Sequence, residues 1–114
     1  MKKALIGINP YDINRKGTTW NATKEAYYQA VWAAGGCPVT LSHTKNKDNI
    51  TSLISNLDGL LMVGGPDIPS NKYKSQNSHL LDSDIMSEER ESFDRAIFLE
   101  TMKQNKKILA ICAG

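Results

Sequence analysis

The sequence predicts an α/β domain built on a mostly parallel sheet with helices on both faces. Three observations carry that expectation: four short runs that are apolar throughout, helical patterns between them, and turn residues at the junctions. Strands of a parallel sheet are covered on both sides, so they read as continuous apolar runs rather than as alternation. The expected order is β-α-β-α-β-loop-α-β.

The first strand is Ala4-Leu5-Ile6-Gly7-Ile8, closed by the turn pair Asn9-Pro10. A polar loop is expected through Thr19. A helix follows from about Ala22 to Ala34, with Ala26, Tyr27, Ala30, Val31 and Ala34 on one stripe. Gly35-Gly36 supplies its stop. Cys37 to Leu41 reads as the second strand, with Pro38 tolerated near its start. Ile50, Leu53, Ile54 and Leu57 mark a short second helix. Asp58-Gly59 turns into the third strand, Leu60-Leu61-Met62-Val63, which runs into Gly64-Gly65-Pro66. Asp67 to Met86 is polar and aperiodic, and so long a loop in a compact domain often carries function. Ser87 is the expected N-cap of the third helix, whose buried stripe is Phe93, Ala96, Ile97 and Met102. Glu88 and Glu89 suit its positive end, and Lys103, Lys106 and Lys107 its negative end. Ile108-Leu109-Ala110-Ile111 is the fourth strand, and Cys112-Ala113-Gly114 follows.

Composition narrows the functional classes. The 114 residues are 40% apolar and 23% charged, ordinary for a globular protein, and one domain spanning 1–114 is expected. Fourteen basic residues against twelve acidic leave +2, too little to attract nucleic acid. No apolar stretch approaches the ~20 residues that span a bilayer, so no membrane role is expected. The N-terminal apolar run stops at Pro10, short of a signal-peptide core. Two cysteines make neither a disulfide scaffold nor a metal set, which points to a cytoplasmic protein with reduced thiols and no metal. No Gly-rich nucleotide fingerprint occurs, and no cofactor is expected.

Two motifs fall at strand ends, where open parallel sheets bind their ligands. Ala110-Ile111-Cys112-Ala113-Gly114 has the form small-x-nucleophile-x-Gly of a nucleophile elbow, in which a strained turn tolerates only small neighbours. A helix beginning just after Cys112 would stabilise its thiolate, and the Ala113 N–H would face a developing oxyanion. The alternative is a buried, inert thiol that ends a core strand. Gly64-Gly65 reads either as a tight turn or as backbone meeting a ligand, with a glycine N–H as second oxyanion donor. Cys37 starts a strand and reads as a core thiol. His79 reads as a solvated loop residue, and His43 merits no role. The carboxylates Asp82, Asp84, Glu88, Glu89 and Glu91 read as a solvated face.

The same segments carry a resemblance. Ile6-Gly7-Ile8, Ala34-Gly35-Gly36-Cys37-Pro38-Val39, Leu57-Asp58-Gly59-Leu60-Leu61, Gly64-Gly65-Pro66-Asp67-Ile68 with Tyr73, Arg90-Glu91, Phe93-Asp94 and Ile111-Cys112-Ala113-Gly114 run in order along the whole chain. Together they resemble the class I glutamine amidotransferase-like superfamily, and within it the gamma-glutamyl-gamma-aminobutyrate hydrolase family, also called peptidase C26. The resemblance implies a flavodoxin-like three-layer α/β/α sandwich. It implies Cys112 as the nucleophile that forms a gamma-glutamyl thioester, with N–H groups of Gly65 and Ala113 as the oxyanion hole. The implied substrate is a small gamma-glutamyl amide, hydrolysed with release of an amine. The family's Cys is followed by a helix, further strands, and the His and Glu of a triad. This chain therefore corresponds to the N-terminal half of the family domain, expected to be inactive alone. A sheet cut there would keep an unpaired edge and an uncovered apolar face. A homo-oligomer, or a partner chain supplying the missing half as in a split enzyme or an amidotransferase subunit, would cover it. A non-catalytic α/β binding module is the remaining alternative.

Overall fold

The computed structural model describes residues 2–64 and 88–111. The elements are β1 (Ala4–Ile8), β2 (Tyr11–Arg15), β3 (Thr18–Ala22), α1 (Glu25–Ala33), β4 (Gly36–Thr40), α2 (Lys47–Ser55), β5 (Gly59–Val63), α3 (Glu88–Lys103) and β6 (Lys107–Ile111). Strands β4, β1, β5 and β6 form one sheet in that order, and every pairing in it is parallel. The four strands are the four apolar runs.

Alternation along each strand divides the core in two. Leu60 on β5 faces α2 and α3, packing with Ile50, Ile54, Phe93 and Ile97 and with Leu41 and Leu57 from the loops. Leu61 and Val63 face the other way, onto Ile8 and Val31 of α1. Helices therefore lie on both faces, the three-layer arrangement of a flavodoxin-like fold.

Local chemistry sets the joints. Gly35 holds φ +95° just past α1, a conformation that side chains resist. A Cβ on Gly36 would lie 3.0 Å from Val31 and 3.1 Å from Ile6, so the glycine lets β4 pass tightly under α1. Asn46 caps α2 by accepting from the Asn49 N–H at 3.0 Å. Lys106 closes the other end of α2, donating to the carbonyls of Ile54, Ser55 and Leu57 at 2.6–3.0 Å. The expectation had assigned Lys106 to the end of α3; its ammonium serves the carbonyls of α2 instead.

Four further expectations change. Tyr11 to Ala22 is not a loop but an antiparallel hairpin, β2–β3, turned by Lys16 (φ 50°) and Gly17 (φ 80°). The hairpin occupies Ala22, so α1 starts at Glu25. On α3 the buried positions are Arg90, Phe93, Ile97 and Thr101. Met102 is 55% exposed, because a step of five residues from Ile97 carries it off the stripe. Cys37 is a free, half-buried thiol on the edge strand β4 rather than a core one.

Among the described residues, nothing covers one face of the fourth apolar run. Beside α1, β6 exposes Leu109 (65%) and Ile111 (38%). Ala30, Val31, Leu61, Leu109 and Ile111 line an open apolar groove of about 500 Å³ there. Of the expected stripe on α1, Val31 is buried and Ala26, Ala30 and Ala34 are exposed, the last two along this groove.

Candidate active site

Strands β5 and β6 are parallel neighbours, and their last residues, Val63 and Ile111, are register partners. The segments leading to Gly64-Gly65 and to Cys112 thus leave adjacent strands at the same level, ~4.8 Å apart. Gly65, Cys112, Ala113, His79 and the carboxylates Asp82 and Asp84 lie outside the described residues, as does Ser87.

The end of β5 is held by a buried polar cluster. Asn9, 0% exposed, accepts the Val63 N–H at 2.6 Å and donates from Nδ2 to the Val63 carbonyl at 3.1 Å. The β1–β5 register, extended two residues beyond Ile8↔Leu61, sets Pro10 opposite Val63. Proline has no N–H to donate, so the side chain of Asn9 continues the ladder in its place. Arg90 on α3, 2% exposed, donates from Nη2 to the same carbonyl at 3.2 Å. Its guanidinium lies over the Tyr11 ring at 4.5 Å, and its Nε is 3.4 Å from Asp94 Oδ2. Asp94 Oδ2 also accepts from Asn9 Nδ2 at 3.0 Å.

These contacts shape the titrations. Burial raises the Asp94 carboxyl from 3.8 to about 6, although Arg90 and the bond from Asn9 pull the other way. Burial, helped by Tyr27, pushes the Tyr11 phenol up to about 12, against the charge of Arg90.

A second cluster ties the hairpin to the sheet. His43 Nδ1 lies 3.3 Å from Asp12 Oδ1, and Asn21 accepts the His43 N–H at 3.2 Å while donating to Asp12 at 3.1 Å. The imidazole packs on Phe93, with ring centroids 4.6 Å apart. Burial lowers the His43 pKa and Arg90 adds to that, while Asp12 and Glu89 oppose it. His43 is therefore neutral at neutral pH. It follows β4, the edge strand at the other end of the sheet order from β6, and it pins the hairpin to the sheet.

Asn9, Arg90 and Asp94 were not legible as site residues. Asn9 reads as a turn former before proline. Its partners lie 54 and 85 positions away in the chain, so no local pattern announces them. Among the described residues, no group of three His, Cys, Asp or Glu could hold a metal ion, and no helix is long and apolar enough to cross a membrane.

Comparison with known proteins now decides the family. Residues 4–114 match the family described as peptidase C26. The chain belongs to the peptidase C26 family. It is 29% identical over 120 aligned residues to a glutamine amidotransferase-like protein of Rickettsia prowazekii, covering 99% of this chain and 41% of that protein. It is 31% identical over 116 aligned residues to Protein NtpR of Enterococcus hirae, covering 96% of this chain and 47% of that protein. The chain thus spans less than half the length of these relatives. The match spans both glycines after β5 and the Cys112 motif, and the residues Val63 and Ile111 that precede them in this C26 chain are register partners.

Proposed function

We propose that these residues form the N-terminal half of a gamma-glutamyl amide hydrolase that works through a thioester on Cys112. The observation that carries the reading is the pairing of Val63 with Ile111, within a chain that matches peptidase C26 up to residue 114. It supports the reading because the residues just before the two glycines and just before Cys112 end neighbouring strands, and an oxyanion hole needs its donors beside its nucleophile.

In this reading the Cys112 thiolate attacks the gamma carbonyl. A C–S bond forms, and the carbonyl pair moves onto oxygen. The N–H groups of Gly65 and Ala113 take up that charge. The oxyanion then collapses and the C–N bond breaks. The amine leaves with a proton delivered by an acid–base group from the remainder of the domain, since His43 is committed to Asp12. Water cleaves the thioester, returning the thiolate and a free gamma-carboxylate. Neither a metal nor a cofactor enters the scheme. The free thiol at Cys37 fits a reducing, cytoplasmic setting.

A second reading is favoured by one observation. The apolar groove between α1 and β6 fits cover by further polypeptide, and a separate partner chain could supply it, as in a split enzyme or an amidotransferase.

The test is turnover of a gamma-glutamyl amide by the protein expressed from its native gene. Cys112→Ala is expected to abolish it, whereas Cys37→Ala and His79→Ala keep most of it. Full activity in Cys112→Ala would refute the mechanism.

A further inference from the structure

The buried cluster at the end of β5 is an unusual use of charge. A buried ion pair adds little stability over well-packed apolar side chains, because desolvating both ions offsets their attraction. Arg90 and Asp94 nonetheless sit in the interior beside the fully buried Asn9. Asn9 and Arg90 converge on one residue, Val63, whose N–H and C=O are both engaged. Its carbonyl accepts from two donors, Asn9 Nδ2 and Arg90 Nη2, which fills both lone pairs.

The Val63 carbonyl shares its peptide plane with the N–H of Gly64. Two donors on that carbonyl therefore fix the orientation of the whole 63–64 peptide. Only the two soft dihedrals of Gly64 separate this plane from the peptide that carries the Gly65 N–H. Glycine is the residue least able to hold an orientation on its own. A glycine pair required to aim an N–H thus needs its approach defined from outside.

We propose that Asn9, Arg90 and Asp94 are positioning residues that fix the peptide at the end of β5, and through it the approach of the chain to the oxyanion donor at Gly65. Asn9 and Arg90 grip the Val63 peptide, and Asp94 orients both of them, accepting from Asn9 and pairing with Arg90. The inference rests on the reading of Gly65 as an oxyanion donor. None of the three side chains touches substrate in this account; they act through the backbone.

The test separates aiming from folding. Acyl transfer from a gamma-glutamyl amide needs the oxyanion hole, whereas alkylation of a thiolate by iodoacetamide builds up no oxyanion. Asn9→Asp keeps the acceptor for the Val63 N–H but loses the donor to its carbonyl. In the protein expressed from its native gene, it is expected to lower kcat on gamma-glutamyl-p-nitroanilide by about 10- to 100-fold, approaching loss of one oxyanion donor. KM and the rate of Cys112 alkylation, followed by peptide mass spectrometry, should stay within about threefold of wild type. Arg90→Lys should behave in the same way. Ile97→Val, which loosens α3 without touching the cluster, should leave kcat unchanged and serves as the control for destabilisation. A folded Asn9→Asp protein with wild-type kcat would overturn the inference and leave the hydrolase reading standing. Equal loss of kcat and of alkylation would overturn it too, assigning the cluster a purely structural role. Absence of turnover in the wild type would overturn both.

Discussion

Asp94 makes a sharp prediction about stability and pH. Its carboxyl titrates at about 6 in the folded chain, against an ordinary value of 3.8. The folded state therefore holds this proton more tightly than the unfolded state. Where that is so, stability falls as pH rises. The contribution of Asp94 is fully present below about pH 4 and is lost as pH climbs through 6. A shift of about two pH units corresponds to about 3 kcal/mol at 1.36 kcal/mol per unit. His43 works in the opposite direction. Its folded pKa is lowered, so its stabilising effect grows as pH rises toward 6.5. Wild type alone therefore shows a mixture of the two. Asp94→Asn copies the protonated carboxyl in shape and charge, which isolates the Asp94 part. Urea unfolding of wild type and Asp94→Asn at pH 4 and pH 7.5 reads the difference. The variant should gain about 2–3 kcal/mol relative to wild type between the two conditions. Parallel pH dependence in the two proteins would refute the buried, proton-retaining Asp94. Wild type tolerates this cost at neutral pH, which agrees with a group kept for position rather than for stability.

Other outcomes follow from the packing. Ile97→Ala removes a side chain that is 0% exposed under α3, and should cost about 2–5 kcal/mol in urea unfolding. Lys106→Met strips three carbonyls at the end of α2 of their donor and should cost about 1–3 kcal/mol; an unchanged midpoint would argue against that cap. Leu109→Ser lies on the uncovered face and should alter the stability of these 114 residues by less than about 0.5 kcal/mol, whereas Leu61→Ser should cost several times more. Equal effects at Leu109 and Leu61 would mean that the β6 face is covered within the chain.

Most of the fold was legible because buried parallel strands leave a coarse trace. Each of the four apolar runs became a strand of the main sheet, and each helical stripe became a helix. The β2–β3 hairpin was missed for a physical reason. Its turn uses Lys16 and Gly17, both at positive φ, and lysine is an uncommon choice where Asn or Asp usually signals such a turn. Its strands also face solvent, with Trp20 58% exposed opposite Ile13, so no buried face imposed an alternation to read. The candidate nucleophile stood out because a cysteine flanked by small residues at a strand end is a local pattern. The grip on Val63 could not stand out, since Asn9, Val63 and Arg90 meet only through the sheet and its covering helix. His43 looked idle in the sequence because its partners, Asp12 and Phe93, come from elements far along the chain.

The most direct test of the central claim is to trap the acyl-enzyme. The protein expressed from its native gene is mixed with a gamma-glutamyl amide, quenched in acid within one turnover, digested and analysed by mass spectrometry. The account predicts a glutamyl adduct on the peptide carrying Cys112 and none on the peptide carrying Cys37. Turnover with no adduct on Cys112, or with the adduct on another residue, would contradict it.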